Sequence, residues 1–271
     1  KNSSKTQTEE EKLLRLETLL WGGDEMLLVV PAWQGFAVLH LFYQTSADWE
    51  IVINGQKKPL KHSGGIVFCQ QNSPIYIMRK LAQSLADRIK EHDKNSRHHS
   101  FFDYLILESI DYPAESLDSF FQHRYGDLAN YRTYLSAEKL VKADFQQFRM
   151  GKNSQIANLN KILPKSQVYA LALAAREIRI NIVETDDIKI LKINHDQDFE
   201  EIQQRLHELP RTRDERQLLE DTIEKLGTLL SPEITDLQPE NNQIALTTIT
   251  RAIMWLNLVQ CWDYLWPEDN I

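Results

Sequence analysis

Cysteine is nearly absent from this chain. Cys69 and Cys261 are the only two and lie far apart, which excludes a disulfide framework and leaves no thiolate set for a zinc site. A reducing compartment suits them. No apolar run approaches the roughly 20 residues of a membrane-spanning helix, so no bilayer anchor is expected. An excess of basic residues is missing too: the formal net charge is -8, which argues against binding nucleic acid through bulk electrostatics. The opening residues, KNSSKTQTEEEK, contain neither an initiator Met nor an apolar signal core. The expectation is a cytoplasmic protein and a chain that is part of a longer one.

What is present reads as globular protein. Hydrophobic residues make up 42% and charged residues 26%, enough apolar surface over 271 residues to build two ordinary domains, each with its own core. Three short basic stretches, MRK near Arg79 and Lys80, NSRHH near Arg97 and PRTRDER near Arg213, read as solvated surface rather than a binding face. No repeat or low-complexity segment is evident.

The pattern over residues 13 to 110 alternates strands and helices. Apolar runs from Leu13 to Trp21 and from Met26 to Val30 flank Gly22-Gly23-Asp24-Glu25 and predict a hairpin stopped by Pro31. Ala37, Val38, Leu41 and Phe42 recur at helical spacing between Ala32 and Tyr43. A strand from Trp49 to Ile53 ends in an Asn-Gly turn, and a second apolar strand, GGIVFCQ, follows. Pro74 opens a strongly helical stretch, since its missing N–H is harmless in a first turn. Phe101 to Ile110 reads as a further strand. Together these predict helices covering one face of a mainly antiparallel sheet. Beyond Leu117 helical spacing dominates, in Ala137–Phe148, Ser166–Ile178, Phe199–Leu209, Arg213–Leu230 and Asn242–Trp266. The segment IRINIVETDDIKILKINHD alternates apolar and polar residues about an acidic turn and predicts a small hairpin among those helices.

The Gly-Gly-Asp-Glu tip has two readings. Gly22 and Gly23 let the backbone turn tightly and let a polyphosphate approach main-chain N–H groups, with the carboxylates of Asp24 and Glu25 beside it. Hard cations favour such carboxylates together with substrate phosphates, and two ions can clamp both the attacking and leaving oxygens of a phosphoryl transfer. Alternatively the tip is a plain turn that uses Gly and Asp for their backbone preferences.

The segment from Leu16 to Lys90 resembles the nucleotide-polymerase Palm domain, related to GGDEF domains, in the large subunit of type III CRISPR effector complexes. The resemblance rests on WGGDEMLLVVPA, on KHSGGIVFCQQNSPIYIMRKLAQSLADRIKEH with Ser63-Gly64-Gly65, Pro74 and Lys90 in order, and on FDYLILESID as closing strand. It implies an α+β fold: a ferredoxin-like Palm over residues 1–116, lacking its first strand, then a mainly helical C-terminal domain over 117–271. It further implies metal-dependent synthesis of cyclic oligoadenylate from ATP, a second messenger in antiviral defence. Asp24 and Glu25 would be the catalytic acids holding two Mg²⁺ or Mn²⁺ ions. Gly22, Gly23, Ser63 and Lys90 would contact the nucleotide. The implied partners are the other subunits of the complex and, through it, guide RNA and target RNA, with no membrane.

Two departures from that family's pattern stand out. Glu25 occupies a place that is usually Asp and reaches one methylene further. The central strand that carries a further metal-binding Asp is not found before Leu13, so it is expected from preceding residues of a longer chain, as a sheet without it would expose backbone groups. Arg79 and Lys80, on the same helix as Lys90, are weaker candidates for a triphosphate. His92-Asp93 and His195-Asp196 lack the further ligands of a metal-dependent hydrolase, and His98-His99 form a loop pair. Trp255, Trp262, Tyr264 and Trp266 read as core or subunit interface. Two other functions fit the residues: a non-catalytic scaffold Palm, and a GGDEF-type cyclase acting on GTP. The Met26 that follows Glu25, where those cyclases carry Phe, weighs against the second.

Overall fold

The computed structural model describes residues 16–92, 99–107, 113, 116–142, 162–185, 188–194, 197–232 and 239–265. The fold is mixed α and β, with four small sheets among the described residues. Strands β1 (Glu17–Gly22) and β2 (Glu25–Val29) form the first hairpin. A short 3₁₀ turn leads into helix α1 (Gly35–Ser46), followed by a second hairpin of β3 (Glu50–Ile53) and β4 (Gln56–Pro59). Strand β5 (Ser63–Phe68), helix α2 (Ile75–His92) and strand β6 (Phe101–Ile106) then make a βαβ unit.

Among the described residues the expected mainly antiparallel pairing holds for every strand pair except the one in this unit. β5 and β6 pair in parallel, from Ser63 with Phe101 to Phe68 with Ile106. Two strands joined through a long helix return in the same direction, so the 18-residue α2 dictates parallel pairing. Helices also cover both faces of β5 rather than one. A Cβ on Gly64 would meet the Tyr43 hydroxyl and Leu39 of α1, while a Cβ on Gly65 would meet Ala82 and Leu85 of α2. Successive strand residues point to opposite faces, so α1 and α2 lie on opposite sides. The glycines of Ser63-Gly64-Gly65 are therefore packing residues, where two helices approach the strand too closely for any side chain. The Tyr43 hydroxyl donates to the Phe101 carbonyl at 2.7 Å and fastens α1 to the sheet.

Chain beyond β6 folds onto the same core. Helix α3 (Leu117–Tyr125) is capped by Ser116, whose side chain accepts from the Ser119 N–H. A two-residue strand β7 (Leu135–Ser136) pairs antiparallel with the start of β6 and runs into helix α4 (Ala137–Lys142). Helix α5 (Lys165–Arg176), the hairpin of β8 (Arg179–Thr185) and β9 (Ile188–Asn194), and helices α6 (Gln197–Leu206), α7 (Arg213–Leu230) and α8 (Pro239–Leu265) complete the order. Each overlaps a segment whose spacing predicts it, whereas β4, α3 and β7 have no counterpart in the sequence reading. One hydrophobic cluster runs from Phe36 through Tyr104 and Leu128 to Trp262, across the position 116/117 at which two domains are expected to meet.

Buried polar groups tie the strands to the helices. Every residue of β6 is buried, including Asp103, which is 2% exposed. Its carboxylate accepts from the Arg132 guanidinium at 2.7 and 3.0 Å, and Arg88 of α2 stands 3.7 Å away. Arg132 stacks over the rings of Phe121, Tyr125 and Tyr104. The side-chain oxygen of Asn257, in the middle of α8, accepts from the hydroxyls of Tyr104 (2.7 Å) and Tyr125 (2.8 Å), while its amide donates to the Leu230 carbonyl at 2.7 Å. Residues 242–264 of α8 are long and apolar enough to cross a membrane. Ile249, Ala252, Ile253, Trp255, Leu258 and Cys261 are all buried, so the helix serves as a core element of this fold.

Candidate functional site

The first hairpin turns through two residues, Gly23 and Asp24, between the paired Gly22 and Glu25. Gly23 has φ +64, and Asp24 does not share that left-handed conformation. Positive φ at the first central position alone is the signature of a type II′ turn, for which Gly is the natural residue. No neighbouring atom lies within 4 Å of a Cβ built on Gly22 or Gly23, so the tip stands in open space. Asp24 and Glu25 are exposed and have no hydrogen-bond or ion-pair partner among the described residues.

The body of the hairpin is partly open, with Leu20, Leu27 and Leu28 half-buried. Leu19, Trp21, Met26 and Val29 are between 38% and 78% exposed. Leu19 falls at a register shift between Thr18 and Leu20, the extra residue of a β-bulge. Among the described residues neither β1 nor β2 joins another strand, and β5 pairs with β6 on one side only. A ribbon of this kind is marginal by itself in water, and its unpaired edges are templates for another strand.

None of the remaining sequence candidates among the described residues bonds to the tip. Ser63 opens β5, and its hydroxyl has no partner among the described residues. Lys90 lies in the last turn of α2, exposed and ion-paired with Asp87 at 3.2 Å. No hydrogen bond or ion pair joins Ser63 or Lys90 to Gly22, Gly23, Asp24 or Glu25. Arg79 and Lys80 are exposed on α2. His98, Asp93, His195, Asp196 and Trp266 lie outside the described residues, while His99 pairs with Glu138 at 3.0 Å. Trp255 and Trp262 are buried in the core, and Tyr264 packs on Phe68 with ring centroids 4.5 Å apart. Cys69 and Cys261 are both free thiols, and burial pushes that of Cys261 up to about 12, which removes it as a nucleophile.

Asp24 and Glu25 suit Mg²⁺ or Mn²⁺ in donor type but supply only part of a shell of about six oxygens. Among the described residues no group of three or more His, Cys, Asp or Glu side chains gathers for a metal ion. By themselves the two carboxylates of the tip do not make a complete metal shell.

Sequence reasoning passed over Asp103, Arg132 and Asn257. The signal for the first was visible: a charge in the middle of the apolar run FFDYLILESI demands a buried counter-ion. Compared with protein-family models, with curated proteins and with solved structures, the chain matches none.

Proposed function

We propose that this chain is the second Palm and helical region of a type III CRISPR large subunit, a metal-dependent nucleotidyltransferase that makes cyclic oligoadenylate from ATP in the cytoplasm. The observation that carries the reading is the unpartnered Asp24-Glu25 pair at an exposed type II′ turn led by Gly23. Support comes from the edges of the first hairpin and of β5 that no other described strand covers, which is what a Palm deprived of its central strand would leave. A strand added there brings the further carboxylate that the tip lacks.

In that reading the bound ions supply charge neutralisation and polarisation of the phosphates. The chain's own part is positional. Gly22 and Gly23 keep the turn clear of side chains so that a triphosphate reaches the backbone, and Asp24 and Glu25 fix the cations over it. Ser63 and Lys90 would contact the nucleotide. The other subunits, with guide and target RNA, assemble around this part of the chain.

The test is the full assembly incubated with ATP, Mg²⁺ and matching target RNA. Cyclic adenylates should form and disappear in an Asp24→Ala/Glu25→Ala double variant that assembles normally. Product that persists in the variant refutes the assignment, and product from GTP alone points to a GGDEF-type cyclase. A non-catalytic scaffold is the second reading, favoured by the pairing of Lys90 with Asp87 and by the lack of a third carboxylate at the tip among the described residues. It predicts no metal-dependent ATP binding even in the full chain.

A further inference from the structure

The β3–β4 hairpin has no further strand partner among the described residues. Its turn residues Asn54 and Gly55 both have positive φ (52 and 77), the type I′ geometry of a tight two-residue hairpin. The root is fixed by Trp49, whose ring packs against Phe42 and His62, and by the Leu60 N–H donating to the Trp49 carbonyl at 2.8 Å. Both strands are exposed along their whole length, and Val52, at 65%, is the most exposed of the three aliphatic residues of β3.

The register decides which backbone groups remain open. Residues in an antiparallel ladder alternate between hydrogen-bonded and non-hydrogen-bonded pairs. The bond between Leu60 and Trp49 fixes the phase, so Ile51 and Ile53 turn their N–H and C=O groups inward to β4, while those of Glu50 and Val52 face the outer edge of β3. By the same alternation the outward positions of β4 are Lys57 and Pro59. Pro59 has no N–H to offer and Lys57 is charged, which closes that edge. β3 is therefore the pairing edge, and a sheet extended there ends at β4.

We propose that β3 pairs antiparallel with β3 of a second copy of this chain, about a two-fold axis at Val52. In that register Glu50-Ile51-Val52-Ile53 is its own complement. Val52 exchanges both backbone hydrogen bonds with its counterpart, and Ile51 lies opposite Ile53 in both halves, so only aliphatic side chains meet at the centre. Glu50 falls opposite Asn54, Lys58 stays beside Ile51 on its own hairpin, and Lys57 is neutralised by Glu50 at 3.0 Å. No like charges face each other across the new edge. A two-fold axis at Glu50 would set two carboxylates together, and one at Ile51 would set each Glu50 against a Val52. The strand is 4 residues long, so the interface is small and of the transient class.

The hairpin shares no residue with the Asp24-Glu25 tip, so this holds whether or not the chain transfers nucleotides. Disulfide mapping tests it, in the full chain purified with its native assembly and with Cys69→Ser in every variant, since Cys261 is buried. Hydrogen-bonded antiparallel partners have Cα atoms about 5.5 Å apart, within disulfide reach. Val52→Cys should give a covalent dimer under mild oxidation, and a bond joining position 52 to itself can only link two copies. Lys57→Cys should not, because its two positions lie three strand spacings, about 14 Å, apart. Adding Ile51→Asp/Ile53→Asp should lower the Val52→Cys yield about tenfold or more, as facing carboxylates replace the apolar pairs. Adding Asp24→Ala/Glu25→Ala should leave it unchanged. No covalent dimer from Val52→Cys, an equal yield from Lys57→Cys, a dimer from Ile51→Cys in its place, a link to a different polypeptide, or a yield indifferent to the Asp variants would each overturn the proposal.

Discussion

Replacing Asp103 by Asn isolates the charge in the centre of the fold, because the two side chains have nearly the same volume. In the native protein the carboxylate holds Arg132 through contacts of 2.7 and 3.0 Å and accepts from the Tyr104 N–H at 2.8 Å. Both partners are 3% exposed or less, so water cannot take over either role. Removing one member of such a pair leaves an uncompensated buried cation, at a cost of about 3–5 kcal/mol. The ring of Phe121, 4.0 Å from the guanidinium, and the Tyr104 carbonyl at 3.0 Å offset part of this. We expect a loss of about 3 kcal/mol, near the lower bound. Urea unfolding followed through the buried Trp255 and Trp262 should show a midpoint lowered by about 1 M at unchanged slope. Asp103→Leu/Arg132→Met removes both charges and should cost less than the sum of its single variants, since neither partner is then orphaned. A midpoint shift of Asp103→Asn below about 0.2 M, or a double variant at or beyond additivity, would refute the view that the pair is energetically coupled.

Other perturbations separate packing, backbone and titration effects. Gly65→Ala drives a methyl group into Ala82 of α2 and should cost about 1–3 kcal/mol of stability in urea unfolding. Gly23→Ala meets no neighbour and should cost only the left-handed backbone penalty, about 1–2 kcal/mol. Burial lowers the pKa of His62, with Lys61 adding to the effect, so the unfolded chain takes up its proton first as pH falls. This site therefore withdraws stability below about pH 6.5. His62→Gln should flatten that part of the stability-pH profile, and an unchanged profile would count against it. Thr212→Ala opens the capping box formed with Glu215 at the start of α7 and should cost about 1 kcal/mol, read as a lower thermal midpoint.

The local signals in the sequence were strong where turns and spacing are chemically explicit. Gly23-Asp24 and Asn54-Gly55 mark hairpins because their backbone angles exclude most residues. Arg213 to Leu230 keeps one apolar stripe and is a helix over that very range. Strand β4, QKKP, was not legible, since it has no apolar alternation and owes its form to the turn before it. Parallel pairing of β5 and β6 was missed because direction is set by the helix between them, not by composition. The two carboxylates of the tip could be named from sequence. That neither Ser63 nor Lys90 bonds to them could not, for that depends on which strands meet.

Helix α8 is so uniformly apolar that its side chains alone barely distinguish one rotation or axial position from the next. Two buried amides remove that degeneracy. Asn242 accepts from the Leu191 N–H of β9 at 2.8 Å, and roughly four turns later Asn257 engages Tyr104, Tyr125 and Leu230. Two keyed points about 22 Å apart fix both the depth and the phase of a helix. One residue inserted between them turns one key about 100° away from its lock. The helix should therefore accept many aliphatic exchanges along its length yet tolerate no change in that spacing.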